Sequence, residues 1–256
     1  NINCVNGALT LDDVLVQGGL AEQGGGAYLQ YCDSRFTDVD FVDNEARNVG
    51  GAMYVDGGTL HWVRGQVLDN RCFNTFDATA GVHLTGANVA TLRNLLFSRN
   101  LAPAGRTGGL HVMSASNADV GFCTFVHNRS VEGTVVHTST DTVVDLHHSI
   151  VASAYGGFGV CGLRNLTGDE TLFQVTNTGL DNACNANPAS ITDPISNIVA
   201  DPRFVVPVNP DGIPTDFRLQ PSSPMRDATT DVTLLDPDGS PADFGAFGGP
   251  DGDWVP

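Results

Sequence analysis

The sequence contains no lysine, and its charge is one-sided as a result. Its 12 arginines stand against 29 acidic residues, so the formal net charge is −17 at pH 7. Negative charge of this size repels phosphate backbones, anionic lipids and other polyanions. Nucleic acid and acidic polysaccharide are therefore excluded as favoured partners unless bound cations intervene.

Long apolar runs and helical periodicity are absent as well. No stretch of about 18 apolar residues occurs, so no membrane-spanning helix is predicted. Nothing keeps a helical period beyond one turn, which excludes arrays of paired helices such as tetratricopeptide repeats. The chain starts at Asn1 with neither Met nor an apolar signal. This start indicates a mature or trimmed form of an exported protein, with an extracellular or cell-surface location.

The sequence does contain one motif that is repeated four times with small changes. The units open on GGGAYL, GGAMYV, AGVHLT and GGLHVM, and they close on the asparagines Asn44, Asn70, Asn100 and Asn128. These asparagines are 26, 30 and 28 residues apart. Recurrence at this spacing is a structural repeat length and predicts a solenoid.

The residues inside each unit indicate an all-β fold. Short apolar alternations separated by Gly, Asn, Asp or Ser predict two or three strands of about three to five residues per unit. Such strands bury an apolar face only when they are coiled and each coil is stacked on the last. We therefore predict a right-handed parallel β-helix of about 5 to 7 coils of about 25 to 30 residues, with a loop-rich C-terminal cap.

Two apolar rows are expected to fill the interior of this β-helix. Period-two alternation gives the first row, which contains Ala27, Leu29, Met53, Val55, Val82, Leu84, Leu110, Val112 and Val136. The second row contains Phe41, Val67, Phe97, Phe125 and, in a degenerate fifth unit, Ile150. We expect the paired glycines at a tight corner and the asparagines in a ladder at the opposite corner.

One elongated domain accommodates all 256 residues, since a repeat array grows without a second core. Residues 1–160 are assigned to the coils, with 1–23 as the N-terminal coil or cap. Residues 161–200 are read as a long disulfide-closed loop. Residues 201–256 supply the final coil and the C-terminal cap, with a strand pair at 203–206 and 216–219. The terminal residues are expected to cover the last coil.

The six cysteines contain no C-x-x-C pair, so a thiolate metal site is not expected. Disulfides are the default in an exported protein. Cys4 and Cys32 lie one repeat apart and are expected to bridge neighbouring coils, and Cys161 and Cys184 are expected to close the long loop. Cys123 occupies an apolar position and suits a buried free thiol, and the pairing of Cys72 stays open.

The opening G-G-A-x-Y-V and the closing F-x-x-N resemble the right-handed parallel β-helix repeats of bacterial surface proteins, including the polymorphic outer-membrane protein family. The later stretches DPRF, DFRLQPSSP and DPDGSPADFGA resemble the closing segment of secreted β-helix proteins of the choice-of-anchor kind. The resemblance covers nearly the whole chain and implies a secreted or surface-displayed bacterial protein. It implies no particular activity, because the fold hosts adhesins, lyases, hydrolases and epimerases alike.

The strongest candidate site is a column of rings between the inward pairs. One residue per unit occupies this outward position, namely Tyr28, Tyr54, His83, His111 and His137. Rings about 5 Å apart on one face suit a platform for sugar rings. The three histidines could also form a pH-sensitive strip or bind a divalent metal. The alternative is that like side chains stack simply because coil packing favours it.

Three further groups of polar residues were considered as sites. His147 and His148 are adjacent, so a strand would point them to opposite faces. The run containing Asp236, Asp238 and Asp243 has oxygen ligands and a glycine turn, as calcium loops do, although it lacks the EF-hand spacing. Asp38, Asp40 and Arg64 are candidates for a lyase-type acidic cluster beside a base.

No catalytic residue is assigned from the sequence. Gly-His-Gly, G-x-S-x-G and Walker patterns are absent, and lysine is missing altogether. The expected function is adhesin-like recognition of a glycan or a partner surface along one solenoid face, by a monomer with calcium as the one candidate cofactor. The alternatives are a polysaccharide lyase or glycoside hydrolase of the pectin-lyase-like fold, and a structural surface spacer.

Overall fold

The computed structural model describes residues 1–75, 78–131, 134–138, 142–153, 160–161, 166–169, 172–175, 200–205 and 216–254. Every regular element in these ranges is a β-strand, and the strands stack as a parallel β-solenoid of about 5 turns. The all-β solenoid predicted from the repeats is therefore confirmed. Within the same ranges, no helix is long and apolar enough to cross a membrane.

In the described ranges, twenty strands build the solenoid. In chain order they are β1 (Ile2–Val5), β2 (Ala8–Gln17), β3 (Leu20–Gln23), β4 (Ala27–Val42), β5 (Glu45–Val49), β6 (Met53–Leu68), β7 (Arg71–Cys72), β8 (Val82–Thr85), β9 (Val89–Ser98), β10 (Leu101–Ala102), β11 (Thr107–Val112), β12 (Asn117–Gly121), β13 (Thr124–Val126), β14 (Arg129–Ser130), β15 (Thr134–Thr138), β16 (Val143–His147), β17 (Ile150–Ser153), β18 (Val160–Cys161), β19 (Leu166–Asp169) and β20 (Leu172–Val175). Strands β3, β5, β7, β10 and β14 form a 5-stranded sheet, and the others form a 15-stranded sheet that wraps around the core.

The strands are longer than predicted. β4 and β6 each run for 16 residues, where short strands of three to five residues were expected. The reason is that a single residue in the left-handed region, such as Asp38 at φ 52° or Arg64 at φ 58°, bends the strand without ending it. These two residues occupy the same corner in successive coils, and sequence periodicity does not reveal such a bend.

The interior follows the predicted first row. All nine of its residues, from Ala27 to Val136, have no exposed surface. The predicted second row is confirmed for four residues, which are also fully buried, namely Phe41, Val67, Phe97 and Phe125. The prediction for Ile150 is wrong, because Val151 pairs with Phe125 and faces the core while Ile150 packs on the outside of the wall.

The asparagine ladder is confirmed. The Oδ1 atom of Asn70 accepts hydrogen bonds from the backbone N and from Nδ2 of Asn44, both at 3.0 Å. Asn70 in turn donates to Asn100 at 2.9 Å, and Asn100 donates to Asn128 at 2.7 Å. The prediction that the glycines lie at the opposite corner is wrong, because a Cβ on Gly26 would stand 3.1 Å from the Asn44 side chain. The same Cβ would approach the carbonyl oxygen of Ala52 to 2.6 Å. Only glycine fits where neighbouring coils come this close.

The predicted disulfide between Cys4 and Cys32 is present, with a Cα–Cα distance of 6.1 Å. Cys123 is a fully buried free thiol, as expected, and Cys72 is a second buried free thiol. Burial raises the pKa of the Cys123 thiol to about 12, so this side chain stays protonated and apolar. Cys184, the expected partner of Cys161, lies outside the described residues.

The C-terminal residues 225–254, which we call the strap, lie along the outer wall of the solenoid. Phe244 packs with Leu96, Val126 and Ile150 on the outside of that wall. Gly245 donates a hydrogen bond to the carbonyl oxygen of His148, and Asp251 lies 3.8 Å from Arg64. The strap thus runs back past several coils along one corner. Before it, a strand pair was predicted at 203–206 and 216–219, and the described residues of these stretches form one isolated antiparallel bridge, between Phe204 and Leu219.

Candidate functional site

The predicted column of rings is in register. Tyr28 pairs with Tyr54, Tyr54 with His83, His83 with His111, and His111 with His137. Ring centroids are 5.5 Å apart between Tyr28 and Tyr54 and 5.4 Å apart between Tyr54 and His83, with interplanar angles of 14°. The faces of these rings therefore meet each other along the column.

Two of the three histidines of the column, His83 and His111, are buried and closed to ligands. His83 is 3% exposed and His111 is 1% exposed. The Thr79 hydroxyl lies 3.1 Å from Nδ1 of His83 and 3.3 Å from Nδ1 of His111, and Nε2 of His111 lies 2.9 Å from Nδ1 of His137. Polar contacts of this kind satisfy buried imidazoles. The partly exposed members of the predicted platform are Tyr28 and Tyr54 at one end and His137 at the other.

Tyr31 is an exposed aromatic residue that sequence reasoning missed. Tyr31 is 58% exposed, and its backbone lies in the left-handed region at φ 47°. The ring lies against the backbone of Gly57 in the next coil, where a Cβ would come within 2.7 Å of it. A bulky residue seldom adopts this conformation. One signal in the sequence could have revealed it. Strict alternation after Ala27 and Leu29 would point residue 31 into the core, where a tyrosine hydroxyl is unfavourable.

Tyr31 lies at a corner of the solenoid, and a shallow basin of about 350 Å³ lies on the solenoid face that follows this corner along the chain. It is lined by β2, β4 and β6 through Ala8, Thr10, Asp33, Ser34, Arg35, Thr59 and His61. Asp33 accepts a hydrogen bond from the Thr59 hydroxyl at 2.9 Å. Arg35 pairs in register with Thr10 and His61, and it makes no ion pair with any residue in the described ranges. The basin therefore offers both hydrogen-bond donors and hydrogen-bond acceptors near the exposed ring of Tyr31.

The corner that carries Tyr31 is rigid. Cys32 follows Tyr31 directly and is bonded to Cys4 in the first coil. On the Tyr28 side, Gln30 donates to Asp56 at 3.0 Å and ties this second coil to the third. Groups held this firmly lose little conformational entropy when a ligand binds.

A second cleft, of about 620 Å³, lies between the strap and the solenoid corner. It is lined by Asp12, Asp13, Asp38, Arg64, Asp253 and Trp254. Arg64 donates two hydrogen bonds to Asp38, at 2.7 and 2.8 Å, and these hold the pKa of Asp38 below its usual value. Burial raises the pKa of neighbouring Asp40, although hydrogen bonds from Gln66 oppose the shift. Two nearby carboxyls thus have pKa values shifted in opposite directions.

The prediction that His147 and His148 point to opposite faces is wrong. His148 leaves the strand with φ 48°, which brings its Nδ1 to 2.8 Å from Nδ1 of His147. Nε2 of His147 lies 2.9 Å from Asp119, which also accepts a hydrogen bond from Arg93. The adjacent histidines therefore share one hydrogen-bonded cluster at the corner under the strap.

The acidic run near the C-terminus holds the turns of the strap. Asp236 accepts hydrogen bonds from the backbone amides of Asp243 and Gly249, at 3.1 and 2.6 Å. Asp238 accepts from the backbone and hydroxyl of Ser240, and Asp243 accepts from the amide of Asp227. In the described part of the chain, no three His, Cys, Asp or Glu residues are grouped so as to hold a metal ion. Calcium binding stays a prediction.

Comparison of the chain with protein-family models, with curated proteins and with solved structures finds no match.

Proposed function

We propose that this β-solenoid is a recognition protein that binds a neutral glycan at the corner of Tyr31 and in the basin beside it. The observation that carries the proposal is the exposed ring of Tyr31, held in a left-handed conformation against Gly57 at the edge of a basin of hydrogen-bonding groups. Sugars stack their C–H faces on aromatic rings, and their hydroxyls bind carboxylates, guanidinium groups and imidazoles.

The chemistry of the basin suits hydroxyl groups. Asp33 accepts, Arg35 donates, and His61 and Thr10 do both. The net charge of −17 disfavours polyanionic chains, which leaves neutral polysaccharides as the ligand class. A solenoid adds a long flat surface on which an extended chain can lie.

Export and surface display, as the sequence resemblance implied, belong to the same proposal. The disulfide between Cys4 and Cys32 supports them, because disulfides persist outside the reducing cytosol. A monomer that binds surface glycans outside the cell is the simplest form of this function.

The test is a glycan array followed by titration of the strongest neutral ligand. Tyr31→Asn keeps a residue that tolerates the left-handed backbone and removes the ring, so we expect about tenfold or greater loss of affinity. Phe73→Ala is the matched control, since Phe73 is 50% exposed and lies away from the basin. Equal affinity of wild type and Tyr31→Asn, or no neutral glycan bound at all, would contradict the proposal.

Glycoside hydrolysis is the second candidate function, and the cleft at Arg64 favours it. Hydrolases of sugars use two carboxyls, one protonated and one ionised, held in different environments. The lowered pKa of Asp38, in the cleft lining, suits the carboxylate. The raised pKa of Asp40, two residues along the chain and outside that lining, suits the acid. Trp254 supplies an aromatic wall in the same cleft.

This second candidate predicts release of reducing ends from a polysaccharide panel. Asp40→Asn would abolish the release, whereas Asp33→Asn, in the basin, would leave it unchanged. Absence of turnover with every substrate, or turnover that survives Asp40→Asn, would remove the cleft as a catalytic site.

A further inference from the structure

Two adjacent histidines connect the solenoid wall to the strap. His147 ends β16, and its ring lies over Gly121 of the preceding coil, where a Cβ would approach the ring to 2.3 Å. Because Gly121 has no side chain, the imidazole of His147 reaches Asp119 at 2.9 Å. His148 turns outward at the corner and meets His147 through their Nδ1 atoms, at 2.8 Å.

The strap is seated on His148. Gly245 of the strap donates a backbone hydrogen bond to the carbonyl oxygen of His148 at 2.8 Å, and the Thr229 hydroxyl lies 3.3 Å from its Nε2 atom. The imidazole stacks on Phe122 of the wall at 4.8 Å, and Phe244 of the strap contacts it edge-on at 5.8 Å. His148 is thus enclosed between wall and strap.

One proton arrangement satisfies the whole chain of contacts when both imidazoles are neutral. Thr229 donates to Nε2 of His148, Nδ1–H of His148 donates to Nδ1 of His147, and Nε2–H of His147 donates to Asp119. Both nitrogens of His147 are then occupied, so this histidine holds parts of the structure together and has no free nitrogen for acid–base catalysis.

The cluster can take up one proton but not two. With one added proton, one Nδ1 still donates and the other still accepts, and Asp119 is close enough to stabilise the charge. With two, both Nδ1 atoms carry hydrogens, and two positive charges face each other across 2.8 Å. The Nδ1–Nδ1 hydrogen bond is then lost, and the rings must separate.

The charged groups around the pair come from both sides. On the wall they are Arg93, Asp119 and Asp145. On the strap, hydrogen bonds from Thr233 lower the pKa of Asp231, and the charge of nearby His148 adds a smaller shift in the same direction. Burial raises the pKa of Asp119, but hydrogen bonds from Arg93 and His147 outweigh it and hold that pKa below the usual value.

We propose that the pair His147 and His148 is an acid-sensitive latch, which holds the strap on the solenoid wall at neutral pH and releases it below about pH 6. In the released state the two rings no longer face each other and each can hold a proton, so release takes up one proton more than the latched pair holds. The equilibrium constant for release therefore rises about tenfold for each pH unit below that point.

Release would change the binding surface. Asp251, Asp253 and Trp254 belong to the strap, and two of them line the cleft at Arg64. Opening the latch removes that wall and exposes the apolar side chains that the strap covers, among them Leu96, Val126 and Ile150. The basin at Tyr31 lies on another face and keeps its residues, so the latch acts on the cleft alone.

Hydrogen exchange of the Gly245 and Ala246 amides, corrected for the intrinsic rate, measures release between pH 5 and 7.5. All measurements are made in protein that carries Asp236→Asn, because Asp236 is a second group of the strap whose protonation would affect its opening. We expect about tenfold faster opening per pH unit below about pH 6, and no slope in His147→Gln, which leaves a single imidazole. His61→Gln, an exposed histidine outside the cluster, should keep the slope. The latch would be overturned if the opening of the Asp236→Asn protein did not depend on pH, or if adding His147→Gln left the pH dependence unchanged.

Discussion

Asn70 shows how much a single residue contributes to the stacking of the coils. Its side chain is fully buried and accepts from Asn44 while donating to Asn100 and to the carbonyl oxygen of Phe41. Asn70→Ala leaves buried backbone groups without partners, and each such loss costs about 1 to 3 kcal/mol. We expect a loss of about 3 kcal/mol or more in the free energy of unfolding, measured by urea denaturation.

The control for this prediction is Asn48→Ala. Asn48 is exposed and makes only a 3.4 Å contact with Glu22, so its replacement should change stability by less than about 0.5 kcal/mol. Equal effects of the two substitutions would mean that the ladder adds nothing specific.

Asp236 gives a residue-scale prediction about pH. Burial raises the pKa of Asp236 to about 6, with Asp243 adding to the shift. A carboxyl with a raised pKa binds its proton more tightly in the folded strap, so its contribution is full below about pH 4 and is lost as the pH rises through 6. Asp236→Asn keeps an oxygen acceptor without the charge. It should slow strap proteolysis at pH 7.5 relative to wild type and have little effect at pH 4.

The opposite result, faster proteolysis of Asp236→Asn at pH 7.5, would show that the carboxylate form is the one the strap prefers. This residue and the histidine latch act in opposite directions on acidification, which is why the two must be separated by substitution.

At the scale of elements, the disulfide fastens the first coil to the second. Cys4 and Cys32 close a separation of 28 residues, for which the chain-entropy model gives about 3 to 4 kcal/mol. A Cys4→Ser, Cys32→Ser variant should therefore unfold at a lower urea concentration than wild type. Reductant should lower the midpoint of wild type and leave the variant unchanged. An effect of reductant on the variant would point instead to other thiols.

Elements also show where sequence reasoning succeeds and where it stops. The inward rows, the asparagine ladder and the ring column were predictable because each repeats once per coil. The long strands were not, since left-handed residues such as Asp38 and Arg64 are ordinary polar residues in the sequence. Ile150 and Val151 are both apolar, and only the docking of the strap decides which one faces outward.

The same limit applied to the candidate site. The register of the column followed from periodicity, but the burial of His83 and His111 and their contacts with the Thr79 hydroxyl did not. Tyr31 escaped notice because alternation places it inward. The contacts of the strap join residues about 80 to 150 positions apart, such as Thr229 with His148 and Asn94 with Ala246, and no local pattern encodes them.

At the scale of the whole molecule, the solenoid has two different outer surfaces. One corner carries the disulfide, Tyr31 and the basin, and its neighbouring coils are tied by hydrogen bonds such as Thr59 to Asp33. The other corner is covered by the strap and holds the acidic cleft. Glycan recognition is placed at the first surface and the alternative, hydrolysis, at the second, so the location of a bound ligand distinguishes them.

Hydroxyl-radical footprinting with a bound neutral oligosaccharide tests this placement most directly. Tyr31 and His61 lie at the proposed site, and Trp254 lies in the cleft. We predict that the ligand lowers the labelling of Tyr31 and His61 severalfold while labelling of Trp254 stays unchanged. Protection of Trp254 with full labelling of Tyr31 would contradict the account.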